Sequence, residues 1–164
     1  MENLKGIRVL VAGVGNRLMG DDGFGPRVID LLTKESLPMN VEARDIGTAG
    51  LTIATDLADY DLVIFLDSME MEGEPGRLYK VKIEVLNTTE EVSELAKMTL
   101  HEVGLEGLLK FARAINTLPE RVIIIGCKPK DIHPTLELSQ EVEAATLKAT
   151  RMVLATLESE LSRK

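Results

Sequence analysis

A chain of 164 residues can bury roughly 70% of the surface its unfolded form exposes, so a single domain over 1–164 is expected without any covalent staple. The formal charge of −8 repels polyanions, and three Phe, two Tyr and no Trp leave no platform for stacking bases, which excludes nucleic acid and anionic membrane surfaces as partners. The lone Cys127 rules out an internal disulfide and fits a reducing compartment.

Residues 7–12, Ile-Arg-Val-Leu-Val-Ala, carry an apolar run that predicts a first strand buried on both faces, as in parallel sheets. A glycine-rich loop from Gly13 leads to Pro26, which suits the start of a helix carrying Val28, Ile29, Leu31 and Leu32. A shorter strand over 41–46 ends at Gly47-Thr48-Ala49-Gly50, and a second helix is expected through Leu51, Ala54 and Leu57. Leu62 to Leu66 is the strongest strand signal and stops at Asp67-Ser68. Residues 69–76 are acidic and punctuated by Gly and Pro. They precede an alternating segment, 77–85, that reads as an antiparallel edge strand with one wet face.

The polar stretch 87–97 is expected to be helical in part. After His101, the residues Leu105, Leu108, Leu109, Ala112 and Ile115 recur at helical spacing until Leu118-Pro119. Residues 121–125 give the last central strand, and 139–161 a long helix with acids in its first turn. The sum is an α/β protein: a three-layer α/β/α sandwich around a mostly parallel sheet of about five strands, with one antiparallel strand at the edge. Its longest apolar runs fall far short of the ~20 residues that cross a bilayer, and Met1-Glu2-Asn3 lacks a secretory pattern, so a cytoplasmic protein without membrane insertion is expected.

In such sheets ligands bind beyond the carboxyl ends of the strands, where strand order reverses. The first and third strands flank that point and end in the loop holding Asp22 and in Asp67. With His101, these two carboxylates make a donor set that suits Zn, Ni, Mn or Fe(II). A cation would remove the repulsion between two close acids. The bland roles are capping for Asp21 and Asp22, with one of them left free, and a loop carboxylate for Asp67. Gly13-Val14-Gly15 begins like a dinucleotide fingerprint, but Leu18 stands at the third glycine position. His101-Glu102 resembles the start of a zincin helix, but Leu105 stands at the second histidine. Cys127 reads as a small apolar residue at a strand end.

The run from Gly13 to Gly25, Gly-Val-Gly-Asn-Arg-Leu-Met-Gly-Asp-Asp-Gly-Phe-Gly, resembles the signature of the hydrogenase maturation endopeptidases. Gly47-Thr48-Ala49-Gly50, Ile64-Phe65-Leu66-Asp67, Leu100-His101-Glu102-Val103 and Gly126-Cys127-Lys128-Pro129 follow in the family's order. The resemblance implies removal of a C-terminal extension from the large-subunit precursor of [NiFe] hydrogenase after nickel insertion. It also implies Asp22, Asp67 and His101 as metal ligands, with nickel carried by the substrate and other divalent metals able to occupy the site. Many members carry Glu at the position of Asp22, and an acid or amide at that of Lys128. In this reading Asp22 or Asp67 positions the attacking water, while Asn16, Gly47, Thr48 and Gly50 line the substrate side.

Two rival readings share these residues. A proton shared between Asp22 and Asp67 would make the site independent of direct metal ligation. A receiver-like signalling domain would be phosphorylated on Asp67 and would use Lys128-Pro129, leaving His101 without a task.

Overall fold

Strands that are apolar on both faces need helices on both faces, and the order of elements supplies them. The computed structural model describes residues 6–48, 50–84 and 103–163. Strands β1 (Val9–Val14), β2 (Val41–Gly47), β3 (Leu62–Ser68), β4 (Leu78–Glu84) and β5 (Arg121–Cys127) form one sheet in the order β2-β1-β3-β5-β4. All neighbouring pairs are parallel except β4 with β5. β1 and β3 are buried along their whole length, as their unbroken apolar runs require.

The period-two alternation of the strands sorts the core into two layers. Val9, Val11, Leu62, Ile64, Ile123 and Ile125 face helices α1 (Phe24–Leu32) and α3 (Gln140–Leu161). Leu10, Ala12, Val63, Phe65, Val122 and Ile124 face the other side, covered by α2 (Val103–Ala114) and by Ile53, Ala54 and Leu57. The helical period of Leu105, Leu108, Leu109 and Ala112 buries all four against this second layer. Asn116, at φ 60°, takes the left-handed conformation just beyond α2, which stops the helix before Pro119.

The expected helix through Leu51, Ala54 and Leu57 is instead two 3-10 turns, Gly50–Ile53 and Asp56–Asp59. The connection from β2 must pass over β1 and return to the start of β3 within residues 48–61. A 3-10 turn rises ~2.0 Å per residue against ~1.5 Å in an α-helix, so it covers that return with fewer residues. Ala54 and Leu57 keep the buried role that the sequence pattern assigns them, and Ile53 joins them. The segment 87–97 lies outside the described residues.

Helix α1 sits directly on the strand ends at the switch point. A Cβ on Gly25 would lie 2.3 Å from the carbonyl oxygen of Leu66 and 2.5 Å from that of Val14. No side chain fits there, so glycine is what lets the helix start between β1 and β3.

The edge strand β4 carries its lysines over α3 and not simply into solvent. Lys80 donates to Thr156 Oγ1 at 2.8 Å, and Lys82 reaches Glu160 Oε1 at 2.8 Å. Glu160, 2% exposed, also binds Arg121 at 2.7 Å and Arg163 at 3.3 Å. Burial pushes its carboxyl up, but the hydrogen bonds of Lys82 and Arg163 and the charges of Lys82 and Arg121 outweigh this and hold it below the usual glutamate range. A carboxyl lowered in the folded state adds stability above its ordinary pKa and loses it as pH falls through the folded value. Lys82 and Arg163 are half exposed, so solvent screens part of the effect. Glu160→Gln therefore lowers stability by roughly 1–3 kcal/mol at pH 7. In urea denaturation the gap to wild type narrows as pH falls below the ordinary glutamate value.

Candidate active site

Two adjacent aspartates take different tasks because of the turn that carries them. Asp21 and Asp22 lie in a 3-10 turn, Gly20–Gly23, where successive residues are ~120° apart, so their side chains diverge. Asp21 is fully buried. Its Oδ2 accepts from the backbone N–H groups of Lys130 at 2.9 Å and Asp131 at 3.0 Å, and from Ser139 Oγ at 2.9 Å. Its Oδ1 accepts from Ser139 N at 2.7 Å. Ser139 in turn caps α3 by accepting from Val142 N. Asp21 thus ties the glycine-rich loop to the loop that follows β5. Backbone bonds from Gly20 to Thr135 and from Thr135 to Leu18 reinforce the tie.

Asp22 is left to point elsewhere. Its Oδ2 accepts from Asn16 N at 2.8 Å and its Oδ1 from the Ser68 hydroxyl at 3.1 Å. Ser68 ends β3 and follows Asp67, so the carboxylate of the loop meets the strand end one residue from the second acid. Asp67 is 2% exposed and pairs in register with Gly126. By the alternation of the strand it belongs with Val63 and Phe65, on the side covered by α2. His101 lies outside the described residues, two positions ahead of α2. Among the described residues no three His, Cys, Asp or Glu side chains gather as a metal-holding set.

The rest of the loop is built to hold Asp22 still. Gly15, at φ 136°, adopts a conformation closed to other residues, and a Cβ there would meet the Asp22 carbonyl at 2.0 Å. Asn16 Oδ1 accepts from Leu18 N at 2.9 Å, closing a turn of its own. Arg17 grips Asp30 of α1 at 2.7 Å and Asp45 of β2 at 3.0 Å, and its hydrogen bond holds the Asp30 carboxyl below the usual range. Gly47 closes the wall opposite: its carbonyl accepts from Gly15 N at 3.1 Å, while its own N–H is taken by Asp45 Oδ1 at 2.9 Å. Thr48 is exposed beside it.

The frame is an open α/β sheet, and known proteins share that fold. A family profile described as hydrogenase maturation protease matches residues 26–156. The chain belongs to the hydrogenase maturation proteases. The hydrogenase 2 maturation protease of Escherichia coli is 33% identical over 155 residues, covering 92% of this chain and 91% of its own length. The crystal structure of a hydrogenase 2 maturation peptidase from a Thaumarchaeota archaeon is 67% identical, with a TM-score of 0.75 over 92% of this chain and 98% of that one. The Escherichia coli maturating endopeptidase HybD gives a TM-score of 0.80 at 32% identity, over 93% of each chain.

This maturation protease is therefore an endopeptidase. Its strand order also departs from the all-parallel 2-1-3-4-5 arrangement of receiver domains, because β4 is antiparallel and lies outside β5. Lys128, the residue a receiver would aim at its phosphoacceptor, is paired with Glu70. Cys127 is buried, and burial, with Asp21 nearby, pushes its thiol up to about 12, so it packs as an apolar residue and is no nucleophile. No helix among the described residues of the protease is long and apolar enough to cross a membrane.

Ser68 and Arg17 carry parts of the site that sequence reasoning did not single out, and Asp21, weighed there only as a cap, ties two loops together. Asp21→Asn places an amide NH2 against an array of N–H donors and leaves at least one of them unsatisfied. It costs about 2–4 kcal/mol, whereas Asp22→Asn, which keeps an acceptor for one of two donors, costs about 1 kcal/mol. Chemical denaturation of both variants checks the order.

Proposed function

We propose that this protease removes a C-terminal extension from the large-subunit precursor of a [NiFe] hydrogenase after nickel has been inserted, and that nickel on the substrate is its recognition element. The observation that carries the reading is the division between the two aspartates. Asp21 has its acceptors filled by the loop after β5, whereas Asp22 meets the end of β3 at Ser68, the residue that follows Asp67. A relative of solved structure from Thermococcus kodakarensis, 26% identical and known as a [NiFe] hydrogenase maturation protease, supports the substrate class.

In this reading Asp22, Asp67 and His101 offer two carboxylates and an imidazole to the nickel that the precursor holds through cysteines. Binding at that point registers one peptide bond against the crevice, so recognition and timing coincide. A carboxylate, Asp22 or Asp67, accepts a proton from the attacking water, and amides beyond Gly47 polarise the scissile carbonyl. Gly47 itself is not among them, since its N–H is engaged by Asp45.

Incubation with nickel-loaded precursor yields a shortened large subunit and a free tail, separable by mass, whereas nickel-free precursor stays intact. His101→Ala and Asp67→Ala each lower processing by at least about 100-fold. Equal cleavage of both precursor forms would overturn the recognition step.

A further inference from the structure

We infer that Ser68 is a positioning residue of the cleavage reaction, one that acts by fixing the rotation of the Asp22 carboxylate. The inference rests on the functional reading above and adds a residue to it. A carboxylate can accept from roughly four directions, two on each oxygen. Asn16 N takes one direction on Oδ2 and the Ser68 hydroxyl one on Oδ1, which leaves one on each oxygen for substrate or water.

The terminal torsion of aspartate is broad and roughly two-fold, so one hydrogen bond alone does not hold it. Two donors on separate oxygens do, because any rotation breaks one of them. The two donors differ in origin. Asn16 belongs to the same loop as Asp22 and moves with it. Ser68 is 5% exposed and paired with Cys127 in the sheet, so it gives the carboxylate a fixed point outside the loop. It is also bonded through the backbone to Asp67. One strand end therefore sets the place of one acid and the orientation of the other, and their relation does not depend on the loop alone.

A purely structural hydroxyl would satisfy itself in the same place, so the test must separate the two roles. Ser68→Ala removes the donor, and Ser68→Thr keeps it. Both are assayed on nickel-loaded precursor well below their melting temperatures, where each is fully folded. Ser68→Ala is expected to lower kcat/KM by about 10- to 100-fold, the range typical of residues that orient a ligand from behind. Ser68→Thr is expected to retain most of the activity. The melting temperature of Ser68→Ala falls by only a few degrees.

Wild-type kcat/KM in Ser68→Ala overturns the inference, and so does an equal loss in both variants, which would mean that packing at position 68 and not the hydroxyl matters. If the wild-type chain itself leaves nickel-loaded precursor uncut, the functional reading fails, and the assignment of Ser68 falls with it. Normal wild-type cleavage beside an indifferent Ser68→Ala removes the assignment of Ser68 alone.

Discussion

The carboxylate of Asp21, closed off from water and met by four donors, is the contact on which the candidate site depends. A polar group buried without partners costs several kcal/mol, so a side chain with this many partners has essentially one place to be. Because three of the four donors are backbone N–H groups, the tie holds whatever side chains the loop after β5 carries. That loop and the glycine-rich loop form two walls of the crevice, and Asp21 makes them one body. The orientation of Asp22 follows, since it is the next residue in the same turn.

The sheet supplies the other half of the frame. β1 and β3 lie side by side in parallel register, and the chain leaves each at the same edge. The close seat of α1 on these strand ends brings the loop that carries Asp22 against the end of β3, where Ser68 meets its carboxylate. Arg17, bound to both α1 and β2, spreads the same rigidity across the opening. Opposite charges drawn from α1, β2 and the loop thus pair with one another, and Asp22 is held by neutral donors, the Asn16 amide and the Ser68 hydroxyl.

Much of this was legible in the sequence, and the rest was not for identifiable reasons. The strands showed themselves because burial on both faces makes unbroken apolar runs, as in Leu62 to Leu66. The edge strand showed itself through the alternation that holds Leu78, Lys80 and Lys82, and its antiparallel direction through a connection too short for a crossover helix. Asp22 and Asp67 could be placed at one edge from strand order alone. The segment 51–57 misled because Leu51, Ala54 and Leu57 have the spacing of an α-helix, and the period cannot reveal how far the connection must travel. Which of Asp21 and Asp22 would be consumed by structure was open, because the deciding donors lie more than a hundred residues away. Ser68 was passed over for the same reason: a serine at a strand end has no local mark of its partner. The arrangement of His101 rests on sequence and family alone.

The 3-10 turn carries a further consequence for how this chain can vary. Each residue in it advances the side-chain direction by about a third of a circle. An insertion or deletion of one residue between Gly20 and Asp22 would put the wrong acid against the 130–139 segment and swing its neighbour out of reach of β3. Conservative replacement of single side chains is a gentler change than an altered count. The acidic stretch between β3 and β4 holds no such turn, and its anchors are of another kind: the Gly76 N–H on the Lys128 carbonyl and Glu70 on the Lys128 side chain.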